Sequence, residues 1–353
     1  MPKAVRIHEV GGTEVLKLEE VDLPTKGAAE VLIKTRSIGV NPVDLIVRSG
    51  YYKPETFPKA RGPRALQPAS CCNAPPGLIP LTLCALLCLI LGGDVAGVVE
   101  EGDEGGKFKP GDKVFALTPG FWNASPAGTY AEYVVADPAW LAKVPDNLPL
   151  EEAAGVPLVA LTGWQALQEA SPKAGQRVLV TAAAGGVGHI TVQVAKALGL
   201  FVVGLAGPKN IEYVKSLGAD EVVDYTTQDV AELYSAPDKQ FDIAIDTVGT
   251  RSELLQKLLS VTKPTGHYSH ILNAGTDNDA LGAAKEAHAA GKGPAVSTTL
   301  VKPNGAQLQE IADLIAAGKV KLEVALSLPL EEAAKAHDQV ATGHTRGKVV
   351  LTV

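Results

Sequence analysis

Aromatic residues are scarce in this 353-residue chain, at 5% of positions, and methionine occurs once. Its 36 glycines and 24 prolines instead favour backbone turns and small-residue packing over aromatic interaction surfaces. Basic residues are the minority: 32 Lys and Arg against 39 Asp and Glu leave a net charge of -7. Tracking phosphates needs a basic face, so nucleic acid is not expected as a partner. No positive stretch leads into a long apolar run at Met1-Pro2-Lys3-Ala4-Val5-Arg6-Ile7, so no secretory leader is expected. Asn123-Ala124-Ser125 is then an idle glycosylation acceptor. Gly77–Leu91 is an almost wholly apolar run of 15 residues, broken by Pro80. That is short of the ~20 residues a bilayer span needs.

Cysteine is confined to one place. Cys71, Cys72, Cys84 and Cys88 fall within 18 consecutive positions, and there are none elsewhere. A disulfide framework or a structural zinc site would spread its ligands over the fold, and no histidine lies near these four. No metal site is expected.

What remains is globular: 46% hydrophobic and 20% charged residues, at a length that suggests two domains. Up to about residue 150 the pattern is β-rich. Val5–Ile7, Val15–Glu19, Val31–Ile38, Val95–Glu100, Lys113–Leu117 and Gly128–Ala136 read as strands, with one short helix opened by Asn41-Pro42. From Leu150 the rhythm changes. Helices are expected at Leu150–Gly155 and Thr162–Ala170. Strands Arg177–Thr181, Phe201–Leu205, Glu221–Asp224, Phe241–Asp246 and His267–Leu272 then alternate with helices such as Gly186–Leu198. That alternation predicts an α/β fold with a doubly wound parallel sheet. Helices Ala306–Ala317 and Leu330–Ala341 and a strand Lys348–Val353 complete the chain.

The most informative stretch is Val178-Leu179-Val180-Thr181-Ala182-Ala183-Ala184-Gly185-Gly186-Val187-Gly188. An apolar strand enters a small-residue turn, and a helix starts at once. Such a turn lets backbone approach a pyrophosphate and aims helix N–H groups at it. The pattern is Ala183-x-Gly185-x-x-Gly188, with Ala for the first glycine of the dinucleotide fingerprint; strand–helix packing is the alternative use. NAD enzymes place an acid about 20 residues on to hold the ribose 2′-hydroxyl. Here Ala206-Gly207-Pro208-Lys209-Asn210 holds no acid and one cation. NADPH is therefore expected, the alternative for Lys209 being a solvated helix-start residue.

These residues resemble the medium-chain dehydrogenase/reductase superfamily, in its zinc-free quinone oxidoreductase (ζ-crystallin-like) branch. The resemblance runs through Gly39-Val40-Asn41-Pro42-Val43-Asp44, Gly92-Gly93-Asp94-Val95-Ala96-Gly97, Gly111-Asp112-Lys113-Val114, Leu161-Thr162-Gly163-Trp164 and Ser216-Leu217-Gly218-Ala219-Asp220. It covers nearly all the chain outside 59–88 and is nearest the plant-type chloroplast envelope quinone oxidoreductases and NADPH-dependent alkenal reductases. It implies a GroES-like β-rich domain at 1–150 and 303–353, and a Rossmann domain at 151–302, with the active site in the cleft between them. Zinc members of the superfamily carry Cys-His where this chain has Asn41-Pro42, and His-Glu where it has Gly93-Asp94. A zinc-independent hydride transfer from NADPH to an α,β-unsaturated carbonyl or a quinone is therefore implied.

Residue by residue, the resemblance implies that Ala183, Gly185, Gly186, Val187 and Gly188 hold the pyrophosphate, and that Asn41 and Thr162 lie near the nicotinamide. Lys209 and Tyr225 would flank the 2′-phosphate. Asp246 would stand beside the nicotinamide ribose, or serve as a helix N-cap. Leu272 would sit at the next strand end. Tyr52 would steer or protonate the enolate, or merely pack. Gly207-Pro208 departs from the hydroxyl residues usual before the cation, which weakens the expected phosphate pocket. The partners implied are a small electrophilic carbonyl or quinone and a second copy of the chain, paired through the β-prone segment Ala295–Val301. Membrane association is expected to be peripheral at most, and the compartment intracellular: chloroplast by resemblance, otherwise cytoplasmic. The alternatives are a non-catalytic NADPH-binding protein, or an enzyme inactivated by the 59–88 segment.

Removing the 30 residues Lys59–Cys88 would join Phe57-Pro58 to Leu89-Ile90-Leu91-Gly92-Gly93-Asp94 in an uninterrupted family-like run. The segment therefore reads as a retained intron or gene-model error, the alternative being an insert that docks on a membrane and lacks the usual basic amphipathic pattern.

Overall fold

Residues 1–50, 89–121, 128–249, 252–271 and 277–353 are described by the structure, a computed structural model. Tyr52, Leu272 and the segment 59–88 lie outside the described residues. The chain divides into two units. One comprises Met1–Pro157, Pro303–Gln309 and Val324–Val353; the other comprises Leu158–Lys302 and Glu310–Glu323.

In the first unit the alternating strands pair as antiparallel ladders. β1 (Lys3–Ile7) lies between β2 (Lys17–Glu20) and the short β4 (Leu89–Ile90). β3 (Val31–Val40) organises the larger sheet. It pairs along one side with β5 (Asp94–Glu101), which continues to β6 (Lys113–Leu117) and β8 (Leu141–Lys143). β7 (Tyr133–Ala136) takes the first half of β3. The strand expected over Gly128–Ala136 is thus half that length. Residues 128–132 instead thread between strands: Tyr130 N–H donates to the Leu91 carbonyl, and the Tyr130 carbonyl accepts from Val5. Gly128 crosses there because a Cβ would stand 2.0 Å from the Ile90 carbonyl. Val15 closes a 3-10 turn, Thr13–Val15, rather than starting a strand.

In the second unit, parallel strands β9 (Arg177–Val180), β10 (Phe201–Ala206), β11 (Glu221–Asp224), β12 (Phe241–Asp246), β13 (Thr262–Ile271) and β14 (Ala295–Thr299) form one sheet. Their order is β11-β10-β9-β12-β13-β14. In sequence ranks that is 3-2-1-4-5-6, the doubly wound dinucleotide-binding order, reversing between β9 and β12. β9 and β12 are near-continuous apolar runs because helices cover both faces of such a sheet. The helix expected from Thr162 begins earlier, at Pro157, where proline suits a first turn. Helices Val230–Tyr234 and Asn278–Ala289 escape the sequence pattern; Asp229 and Asp277 cap them. The chain returns to the first unit with β15 (Val324–Pro329), which lies parallel to β16 (Lys348–Thr352). β16 takes the second half of β3. Ile7, Ile38, Val40, Leu91, Tyr130, Leu330, Val349 and Leu351 close the core over this junction.

Candidate functional site

The glycine-rich turn forms at the carboxyl end of β9. Ala182 takes a left-handed φ of 41°, costly for a residue with a Cβ, and turns the chain out of the strand. Its carbonyl accepts the Gly185 N–H at 2.8 Å. The helix Gly186–Ala197 starts at once, and no side chain caps it. Its first N–H groups have no intrahelical acceptor, so they offer donors and a positive dipole end to an anion. Gly188 packs this helix against the strand: a Cβ there would lie 2.2 Å from the Ala182 carbonyl. Ala183 and Gly188 are buried, whereas Gly185, Gly186 and Val187 are partly open. This backbone cradle fits a pyrophosphate.

Asp246 ends β12 beside it and is wholly buried. Its Oδ1 accepts from Thr181 Oγ1 (3.0 Å) and the Val248 N–H (3.0 Å), and its Oδ2 accepts from Tyr268 Oη (2.9 Å). Thr247 N–H donates to Thr181 Oγ1 (2.8 Å), and its hydroxyl donates to the Thr181 carbonyl (2.7 Å). Asp246 therefore braces the ends of β9, β12 and β13 and folds the loop after it, while Val248 points outward at 48% exposure. Among the described residues the next helix starts at Ser252, six positions beyond it. His270 Nδ1 lies 4.0 Å from the same carboxylate, and burial lowers its titration.

Lys209 and Tyr225 follow the ends of two neighbouring, paired strands. Ala206, at the end of β10, pairs with Asp224, at the end of β11. Lys209 lies in the 3-10 turn Pro208–Asn210, and Tyr225 is 63% exposed. A Cβ on Gly207 would stand 3.6 Å from the Tyr225 hydroxyl, so the phenol lies over the end of β10, and Lys209 follows two residues on. Asp224, the residue before Tyr225, is the acid at the end of β11. It is spent on its own turn, accepting from the N–H and hydroxyl of Thr226, which hold its carboxyl below the usual range. Thr162 is buried in the helix Pro157–Glu169, its hydroxyl donating to the Leu158 carbonyl at 2.6 Å.

In the first unit Asn41 leads from β3 into the helix Pro42–Arg48. Its backbone N–H donates to Asp44 Oδ2 at 2.9 Å, the return half of a capping box. Its side chain is 1% exposed and engaged. Nδ2 donates to Asp94 Oδ2 (2.9 Å) and the Gly39 carbonyl (3.3 Å), and Oδ1 accepts from Lys348 Nζ. Tyr130 Oη donates to Asp44 Oδ2 (3.1 Å) and lies 3.1 Å from His337 Nε2. Burial, reinforced by the Asp94 charge, raises the Asp44 carboxyl to about 7 against the pull of the Asn41 N–H, Lys348 and Tyr130. Burial lowers His337 to about 3, with Arg48 adding to it. It also lowers Lys348, against the attraction of Asp94 and Asp44.

Sequence reasoning missed Lys348, Tyr130 and His337, and read Asp44 only as part of a motif. The cue for Lys348 is weak: a lysine before Val-Val-Leu-Thr-Val reads as a solvated strand start. Among the described residues no group of three or more His, Cys, Asp or Glu could hold a metal.

Two family models match: "Alcohol dehydrogenase GroES-like domain" over residues 27–146, and "Zinc-binding dehydrogenase" over residues 217–351. The chain is 34% identical to mouse (Mus musculus) "NAD(P)H oxidoreductase RTN4IP1, mitochondrial", over 98% of this chain and 88% of that one. It is 31% identical to "Chloroplast envelope quinone oxidoreductase homolog" of Arabidopsis thaliana, over 97% and 95%. The solved quinone oxidoreductase of Coxiella burnetii superposes with a TM-score of 0.82 at 29% identity, covering 100% of this chain and 99% of that one. A GroES-like domain together with a dinucleotide-type parallel sheet defines a dehydrogenase/reductase architecture. The chain belongs to the medium-chain dehydrogenase/reductase superfamily, among its quinone oxidoreductase-like members.

Proposed function

We propose that the protein is an NADPH-dependent, zinc-independent reductase of quinones or α,β-unsaturated carbonyls. The observation that supports this is the end of β10, where the Tyr225 hydroxyl lies by Gly207, Lys209 follows in the next turn, and 206–210 hold no acid for a ribose 2′-hydroxyl. A 2′-phosphate suits a cation and a phenol there; a free 2′-hydroxyl finds no carboxylate partner. The Gly185–Gly188 turn holds the pyrophosphate by backbone N–H groups. Asp246 acts by bracing the strand ends, and the loop it folds borders the nicotinamide ribose. Thr162 and Asn41 are the residues proposed, each in its own unit, for the nicotinamide end of the cofactor.

Bound NADPH supplies the hydride: with a proton from solvent, a quinone becomes a hydroquinone, or an enone gains hydrogen at its β and α carbons. The chain's own task is position and exclusion of water. The second matching family description speaks of zinc, yet the residues at this corner do not fit that ion. Asn41 and Asp94 replace soft ligands, and their oxygens and amide are bonded among themselves and to an ammonium, which repels a dication. The acceptor proposed is therefore one that is electron-poor already, since this corner offers no zinc site to stabilise charge on its oxygen.

The plastid-named relative supports a chloroplast location, and the mitochondrial one a second organelle. β14, an edge strand of the described sheet, is the proposed pairing surface of a homodimer. The test compares NADPH with NADH in reduction of one quinone by the purified chain. Preference for NADPH, lost in Lys209→Ala, is expected; equal use of both cofactors contradicts the reading.

A further inference from the structure

Strand register brings three distant residues to one point. β3 ends between β16 and β5, with Val40 opposite Val349 and Gly39 opposite Asp94. Asn41 just beyond β3 thus meets the first residue of β5, Asp94, and the first residue of β16, Lys348. Lys348 Nζ donates to the Val40 carbonyl at 2.8 Å and to Asn41 Oδ1. With Asp94 and the Gly39 carbonyl on Nδ2, the carboxamide is held at both ends. The partners also fix which end is which: an ammonium needs an acceptor and a carboxylate needs a donor. Gly39 makes the room, since a Cβ would stand 2.7 Å from Asp94 Oδ2 and 2.3 Å from the Ala154 carbonyl. A buried ammonium is retained only when paired, and Asp94 and Asp44 supply the opposite charge. Strand packing alone would be met by an apolar residue at 348, as at Val349 and Val350.

We propose that Lys348 is a positioning residue for hydride transfer: its ammonium locks the Asn41 carboxamide and the strand-to-helix corner that carries it. The proposal rests on the reading that this corner borders the nicotinamide. On that reading, removal of Lys348 acts on the rate of transfer more than on cofactor affinity. Misplacement of a reacting group by about 1 Å costs on the order of 10²-fold in rate.

The experiment uses the full chain with Lys348→Met, which keeps an unbranched apolar stem and removes the donor. The first readout is independent of activity. With asparagine side chains labelled with ¹⁵N, the wild-type Asn41 carboxamide should give one sharp, slowly exchanging pair of signals. In Lys348→Met that pair is expected to shift and broaden. A pair with unchanged shift and exchange overturns the proposal. The second readout is steady-state reduction of a quinone: kcat is expected to fall on the order of 10²-fold with NADPH binding unchanged. An unchanged kcat, or a loss confined to KM for NADPH, overturns it.

Lys348→Met removes one positive charge from this buried cluster, so a charge-balanced variant, Lys348→Met with Asp44→Asn, keeps the test open if the single variant fails to fold. An asparagine at 44 can still accept from the Asn41 N–H and the Tyr130 hydroxyl. In this double variant kcat should stay low and the Asn41 signals broad. Recovery of both to wild-type behaviour would assign Lys348 to charge balance alone and overturn the proposal. A wild-type chain that reduces no acceptor contradicts the functional reading; the Asn41 signals then still decide whether Lys348 locks the carboxamide.

Discussion

Asp44 and His337 lie at the two ends of one hydrogen-bonded chain through Tyr130, and burial moves their titrations in opposite directions. Asp44 rises from 3.8 to about 7 on folding, so the native state holds its proton more tightly. Its contribution is lost as pH climbs from about 4 through 7. His337 falls from 6.5 to about 3, so its contribution is complete above 6.5 and lost as pH drops toward 3. Over the shared window the two effects oppose. Relative to wild type, Asp44→Asn should therefore gain stability as pH rises from 4 to 7, by about 1 kcal/mol per pH unit. His337→Asn should instead lose ground to wild type as pH rises from 3 to 6.5. Denaturant titrations across this range check both, and parallel pH profiles for the two variants would refute the pairing. Lys209 could be proposed from the sequence alone because the role proposed for it is local to one strand end. Lys348 could not: its partner Asn41 lies 307 positions away, and only strand register brings them together. Replacing Lys209 with alanine should weaken NADPH about tenfold and leave NADH unchanged, as loss of one charged hydrogen bond predicts. Paired fluorescence titrations measure this; equal weakening of both cofactors would contradict the phosphate role.

At the scale of elements, the turn after β9 shows how closely strand and helix approach. Gly188→Ala places a Cβ 2.2 Å from the Ala182 carbonyl and 2.8 Å from Ala183 Cα, both backbone atoms that cannot step aside. The helix Gly186–Ala197 must then lift from the sheet, at a cost of about 1–3 kcal/mol and a loss of NADPH affinity. Gly207→Ser is the contrast. The nearest atom to its Cβ would be the Tyr225 hydroxyl at 3.6 Å, an ordinary contact. Its melting temperature should match wild type, and the added hydroxyl should tighten NADPH. A stable Gly188→Ala with normal affinity would contradict the packing account. Elements of the second unit were read well where apolar runs and glycine stops were local, as in β9 and the helix after it. The strand expected over Gly128–Ala136 was cut short because its first half threads between β1 and residues 89–91, a demand no local pattern carries. β15 was missed for a related reason: it is ordered by pairing with β16, and its alternation is only half-buried.

For the whole molecule, alternating strands and helices after Leu150 announced a parallel sheet, and right-handed crossovers leave few orders for one. The observed order places the turn after β9 and the loop after β12 at the point of reversal, where such sheets bind ligands. The β-rich character of the first unit was equally plain in sequence, but the interlocking of β3, β5 and β16 was not. That interlocking joins residues from both ends of the chain in one buried polar cluster, so the return segment Val324–Val353 is part of the corner rather than an appendage. The central claim is a hydride transfer from NADPH to an electron-poor acceptor, and its most direct test is a spectrophotometric assay of NADPH oxidation by the purified full-length chain. A simple quinone and a short enal serve as separate acceptors. The account predicts NADPH consumption matched by reduced acceptor, with NADH a poorer donor. Tight NADPH binding with no reduction of either acceptor would contradict it and make the protein a dinucleotide-binding protein without this activity.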